Sequence, residues 1–253
     1  MMLRKLALSL TALAMSSSAF ADTIGVRAGA GMWNHDPSGH IRYQSTSSSH
    51  NADLKDDLNL ESDQEGYFYA LVEHPVPLIP NVKVMRTGLT SSGSGTINSE
   101  FQYGGNTYEA NESVRSELVL DHTDVTAYWQ LLDNIVSFDF GLVAKMVDAE
   151  ATVTQTSGDN DSVTNSFDGV VPMGYLAVGA SPWPGVELRL EGSALSVGDN
   201  SLTDITAKVS YTTNYMLGIE AGYRSLELEL DDLDDVDSNM KFDGPFAGVY
   251  LHF

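Results

Sequence analysis

Strict alternation of apolar and polar residues runs through most of this chain, and it limits the fold more than any other feature. In "TIGVRAGAGMW", Ile24, Val26, Ala28, Ala30 and Met32 share one parity, against Gly25, Arg27, Gly29 and Gly31. "IVSFDFGLVAKM" sets Val136, Phe138, Phe140, Leu142, Ala144 and Met146 against Ser137, Asp139, Gly141 and Lys145. "VELRLEG", "ITAKVSYT" and "YMLGIEAGY" repeat the pattern. Successive side chains of a strand point to opposite faces, so a period of two with one apolar face predicts strands. No segment after residue 21 sustains helical spacing or an apolar run long enough for a membrane-spanning helix.

The connections are of two kinds, and they alternate. "HPVPLIPN" near residue 77, "LLDN" near 133, "SPWPG" at 181–185 and "YTTN" near 213 are tight turns, marked by proline, glycine and Asp-Asn. The segments at about 34–64, 90–112, 148–165, 198–203 and 231–240 are long and polar. Short turns at one end and long loops at the other predict an all-β, up-and-down antiparallel transmembrane β-barrel. Strands are expected near 22–33, 65–75, 82–97, 113–131, 135–156, 166–180, 186–197, 203–212, 215–230 and 241–253. That makes about ten, with eight as the alternative. Strands 82–97 and 166–180 fit either parity. After Tyr223 the apolar parity passes to Leu226, Leu228 and Leu230, which predicts either a bulge or a strand rising beyond the membrane.

Tyr215 and Tyr223 share the apolar parity, eight residues apart. At about 3.4 Å per residue and a tilt near 40° they stand about 20 Å apart along the axis, the spacing of two aromatic girdles. Trp129, Trp183, Tyr211 and Phe253 fall near the tight-turn end and join that girdle.

The two ends supply context. Arg4 and Lys5, an apolar run from Leu6 to Met15, and Ala19-Phe20-Ala21 read as a secretory signal peptide over 1–21, cleaved after Ala21. Residues 22–253 then form the barrel. The chain has no cysteine, which excludes disulfides, thiolate metal sites and a cysteine nucleophile. Loss of Arg4 and Lys5 takes the formal charge from −22 to −24, which makes nucleic acid a poor partner. At the other end, "GVYLHF" alternates down to Val249, Leu251 and Phe253.

An A-x-A signal, alternating strands, tight turns against long loops and a terminal aromatic together resemble the Gram-negative outer-membrane β-barrel proteins. The resemblance is closest to small, largely uncharacterised proteobacterial members. It implies export by the Sec pathway, a closing strand read by the barrel-assembly machinery through Phe253, Leu251 and Val249, and surroundings of outer-membrane lipid and lipopolysaccharide. Such signals often have Tyr third from the end, where this chain has Leu251.

Parity turns Arg27, Lys145, Arg189, Lys208 and Arg224 inward, with Arg86 open to either face. Glu73, Asp124, Asp139, Glu187, Glu191 and Glu220 are the inward carboxylates. Mixed signs in a narrow barrel predict a salt-bridged, filled interior; a narrow charged pore is the other reading. The remaining acids crowd the loops, as in "LKDDLNLESDQE" and "LELELDDLDDVDSN". Such loops are either solvated or hold Ca2+ or Mg2+ weakly, and no defined metal spacing appears. No cofactor is expected.

Two functional readings follow. The first is a non-enzymatic barrel with a structural or surface role, or slow passage of small solutes. The second is a surface hydrolase with its site at the loop end. Omptin-like proteases resemble this chain in strand number and use Asp and His at the outer rim. "LDHTDV" offers His122 and Asp124 on one face, with Asp121 opposite, as candidates. A lipid A deacylase would need a Ser–His pair, and His35, His40 and His50 sit in a serine-rich first loop.

Overall fold

The structure, a computed structural model, describes residues 24–43, 52–97, 101–103, 106–109, 111–156, 162–233 and 236–253. The expected signal peptide, with Ala19 and Ala21, and His50 lie outside the described residues.

Ten strands build the wall: β1 Gly25–Tyr43, β2 Asp63–Glu73, β3 in two pieces (Asn81–Thr87 and Thr90–Thr96), β4 Ser113–Asp133, β5 Val136–Gln155, β6 Ser162–Trp183, β7 Val186–Val197, β8 Asn200–Thr212, β9 Leu217–Leu233 and β10 Val236–His252. Each is antiparallel to the next, and β10 pairs back onto β1 from Arg27↔His252 to Tyr43↔Val236. The seam continues below, where Val26 and Phe253 exchange backbone hydrogen bonds of 3.2 and 2.8 Å. Closure of this kind leaves no open edge. A two-residue strand, Ala52–Asp53, adds to β1, and Phe101–Tyr103 pairs with Asn106–Tyr108 in a separate hairpin.

Five expectations are corrected. Pairing runs out to Thr154↔Ser162 between β5 and β6 and to Leu233↔Val236 between β9 and β10, so neither 148–165 nor 231–240 is a long loop. β1 runs ten residues beyond the expected end, to Tyr43, so the first loop is shorter than 34–64. The segment 198–203 is no long loop: Gly198, at φ +64°, and Asp199 turn directly from β7 into β8. Tyr215 belongs to the turn before β9, not to the strand.

The wall divides into two zones. In the lower zone the outward residues are apolar: on β9 Leu217, Ile219 and Tyr223, on β5 Phe140, Leu142 and Met146, and on β10 Val249, Leu251 and Phe253 are all exposed. Their inward neighbours are charged. Above it the pattern inverts with no change of parity. Glu220, Arg224 and Leu226 all face inward, while Glu227 and Glu229 of β9 turn outward. On β5 Lys145 and Val153 face in, and Asp148 and Glu150 face out. So the leucines after Tyr223 mark a strand rising beyond the membrane; β9 shifts register only between Leu230 and Leu233.

The border is sharp. Asp121, Asp148 and Asp168 lie abreast on β4, β5 and β6, and two residues lower each of the latter two strands shows Met146 or Val170 to the lipid side. Arg86 is outward at this level, bonding Asp121 at 2.7 Å and Asp148 at 3.5 Å. The faces left open by sequence are now assigned: Asn81 and Thr87 of β3, and Met173, Tyr175 and Ala177 of β6, point inward.

Candidate functional site in the barrel lumen

Inward residues fill the lumen in three tiers. At the tight-turn end is a polar vestibule of about 300 Å3, lined by residues that include Asn134, Ser181 and His252 beside those turns. Its walls and roof form the first network. Arg27 Nη1 meets Glu187 at 3.2 Å, and Arg189 joins Asp139, Glu187 and Glu191. Lys83 reaches Glu191 at 2.9 Å, and Tyr175 donates to the other oxygen of Glu191 at 3.0 Å. Lys208 reaches Glu220 at 3.3 Å, and Tyr67 and Tyr69 donate to the same carboxylate at 2.9 and 3.1 Å. Tyr128 donates to Glu73 at 2.8 Å. Phenol donors complete what the cations leave open, as burial of charge requires.

The second tier is deeply buried. Arg224 binds Asp204 through Nε at 3.0 Å and Nη2 at 2.7 Å, the two-pronged geometry that suits a guanidinium to a carboxylate. Its Nη1 donates to Thr87 at 2.9 Å, and its Cζ lies 4.8 Å from the centre of the Trp33 ring. Lys145 Nζ bridges Asp124 at 2.9 Å and Asp204 at 3.0 Å. Two cations thus meet two carboxylates.

His122 completes this tier. Its Nδ1 lies 2.9 Å from the Leu120 carbonyl, and its Nε2 lies 2.9 Å from Arg224 Nη2. A carbonyl only accepts and a guanidinium only donates, so Nδ1 carries the proton and the Nε2 lone pair is taken up by Arg224. The side chain of Asp124 is bonded to Lys145. His122, Asp124 and Asp204 offer donor atoms within 4.8 Å of one another, a grouping able to hold a metal ion. Here Lys145 and Arg224 already neutralise the two carboxylates, so the donor set suits protein cations.

The third tier is apolar. Leu89, Leu120, Leu226, Phe242 and Met240 close the interior above the charges. Over them the segment 52–61 dips into the mouth and buries Leu54, Leu58 and Leu60, while Lys55, Asp56 and Glu61 stay outside. The acidic stretch "LKDDLNLESDQE" is therefore only half a surface loop: its leucines form a plug. Leu54 N bonds Gly39 O at 2.9 Å and Glu61 N bonds Ser92 O at 3.2 Å. Gly93 of β3 is needed here, because a Cβ on it would lie 1.7 Å from the backbone oxygen of Asn59 in the plug; at Gly95 a Cβ would displace the Asn59 side chain.

The structure thus places Arg27, Asp139, Lys145, Glu187, Arg189, Glu191, Lys208, Glu220 and Arg224 inside, each in an ion pair. Sequence reasoning missed Asp204 and Lys83. Asp204 shares the parity of Thr206 and Lys208, and the signal was there one step earlier in the strand.

No family model matches the chain, and no curated protein matches it. Solved structures do. The outer-membrane protease OmpT of Escherichia coli aligns over 95% of this chain and 100% of its own, at a TM-score of 0.52 and 11% identity. The translocator domain of the autotransporter NalP of Neisseria meningitidis aligns over 99% and 95%, at 0.45 and 10%. The attachment invasion locus protein Ail of Yersinia pestis aligns over 91% and 99%, at 0.35 and 8%. At such identities the likeness is one of fold. The chain has the fold of the outer-membrane protease, a closed β-barrel of ten antiparallel strands.

Proposed function

We propose that the protein is an integral protein of the Gram-negative outer membrane, exported through the Sec pathway and inserted by the barrel-assembly machinery. Its barrel is a sealed, non-enzymatic anchor in lipid and lipopolysaccharide, and it raises an acidic surface above the membrane. The observation that carries this reading is the filled lumen. Two buried ion-pair networks cross it, and the 52–61 plug sits over them. The voids between the networks are about 40 and 30 Å3, room for a water or two and for no solute. Against a rim hydrolase stands the geometry of His122: both ring nitrogens are engaged, and the ring lies beneath the plug's apolar seat rather than at the rim.

The test is conductance of the folded protein, residues 22–253, in a planar bilayer. Insertion without conductance steps is the expected result. Discrete, charge-selective steps at neutral pH would overturn the sealed reading, and loss of a proteolytic or lipid-cleaving activity in His122→Ala would replace it with the enzymatic one.

A further inference from the structure

The plug is held in two ways, and the two respond differently to acid. Outside, Asp36 clasps both of its ends: Lys55 Nζ lies 2.7 Å from Oδ2, and Ser62 Oγ donates to Oδ1 at 2.5 Å. Inside, the leucines of the plug belong to one continuous core with Trp33 and Phe242. Between those two rings sits His35, with centroid distances of 5.3 and 6.1 Å. His35 is fully buried, and among the described residues neither ring nitrogen has a hydrogen-bond partner. An imidazole with no acceptor is tolerable only when neutral.

We propose that the 52–61 segment is an acid-loosened cap, with His35 as its trigger and the Asp36 clasp as the tether that keeps it attached. A proton taken up at His35 creates a cation wedged between two apolar rings. The charged groups facing it decide where it goes. Arg224 of β9 lies on the Trp33 ring and repels it; Lys55 of the cap and Lys241 of β10 add positive charge above. Asp63 and Glu65 of β2, whose Cα atoms face His35 and Trp33, attract it, and Asp36 of β1 and Asp243 of β10 pair across the seam beside it. The imidazolium therefore swings toward Asp63 at the rim, leaves its place beside Trp33 and Phe242, and unseats the leucines. His35 lies above the hydrocarbon band, since its outward neighbours Asn34 and Asp36 are polar.

The signs place the event in mild acid. Burial, partly offset by Asp63 and Asp36, pushes His35 below its ordinary value of 6.5. The fold therefore favours the neutral ring, and that preference is complete above 6.5 and lost as pH falls below it. The hydrogen bond from Lys55 holds the Asp36 carboxyl below its ordinary 3.8, so the clasp stays charged through the same window and lets go only in stronger acid.

Hydrogen–deuterium exchange of the membrane-inserted protein tests this, at about pH 7.5 and about pH 5 with labelling times scaled for the intrinsic pH dependence. Amides of residues 54–60 are expected to exchange about tenfold faster at the lower pH in the wild type. In His35→Leu, or in His35→Gln should the first not fold, that acceleration disappears. Asp36→Asn accelerates the same amides already at the higher pH. Equal exchange at the two values in the wild type, or an undiminished acceleration in both His35 variants, would overturn the proposal. The sealed lumen is a separate matter, since the ion-pair networks below stay in place when the cap lifts.

Discussion

Arg224 engages all three guanidinium nitrogens: Nε and Nη2 on Asp204, Nη1 on Thr87, and Nη2 again on the lone pair of His122. No other side chain can answer all of these. Lysine has one nitrogen on a flexible stem, so Arg224→Lys would satisfy Asp204 and abandon His122 and Thr87. Arg224→Met removes the charge but leaves Asp204 with Lys145 alone, shared with Asp124. Breaking a buried ion pair from one side costs about 3–5 kcal/mol, because the surviving charge keeps its desolvation penalty. We expect Arg224→Met to lose stability of that order in urea unfolding from lipid vesicles, and Arg224→Met combined with Asp204→Leu to regain much of it. A double variant no more stable than the single one would mean that Arg224 acts through Trp33 packing, not through charge.

At the scale of the strand, β9 shows how one parity serves two solvents. Outward Leu217, Ile219 and Tyr223 meet hydrocarbon, and outward Ser225, Glu227 and Glu229 meet water; inward positions change the opposite way. Ile219→Lys is therefore expected to destabilise the folded barrel by roughly 2–4 kcal/mol, the cost of a cation near the bilayer midplane, and Ser225→Lys by roughly 0–1. Equal costs at the two positions would displace the membrane border from between Tyr223 and Ser225. Strand number, closure and the inward charges of β5, β7, β8 and β9 were legible because alternation is strict wherever one face meets lipid. The upper wall was harder to read. Once a strand leaves the bilayer its outer face turns polar while its inner face turns apolar, so Leu226 looked like a slip of phase. β3 and β6 were ambiguous for a related reason: serine, glycine and threonine fit both faces of "TSSGSGT", and Val170 and Val171 flank both faces of β6. The plug was unreadable as such. Leu54, Leu58 and Leu60 share a parity, but Asp56 interrupts it and the segment turns instead of extending, so only the mouth of the finished barrel gives them something to bury against. Asp204 and His122 could be assigned to a face from parity, but their meeting joins β8 to β4 across the barrel, a distance the sequence does not encode.

For the whole molecule, the tiers act as barriers in series, and each should be visible from one side only. The absence of native cysteine makes this measurable with single introduced thiols and a membrane-impermeant reagent. Gln130 lines the vestibule at the tight-turn end, below both ion-pair networks. Ser116 lines the small apolar space under the plug, with Leu54, Leu58 and Leu60 around it. Gln130→Cys is expected to react when the tight-turn end faces the reagent and to stay protected when the loop end does. Ser116→Cys should be protected from both sides, because the plug covers it above and the networks block it below. Replacing residues 53–60 by a Gly–Ser linker should then expose Ser116→Cys to the loop side alone, and the linker variant should still carry no current. The two halves of that result bear on different tiers. Labelling of Ser116→Cys from the tight-turn side would mean that the networks around Glu191 and Asp204 let small molecules through. Labelling from the loop side with the plug intact would mean that the mouth opens without acid. Protection on both counts, with the linker variant silent, leaves a barrel whose interior serves to hold its wall together, and puts any contact with the outside on the acidic surface that the wall carries above the membrane.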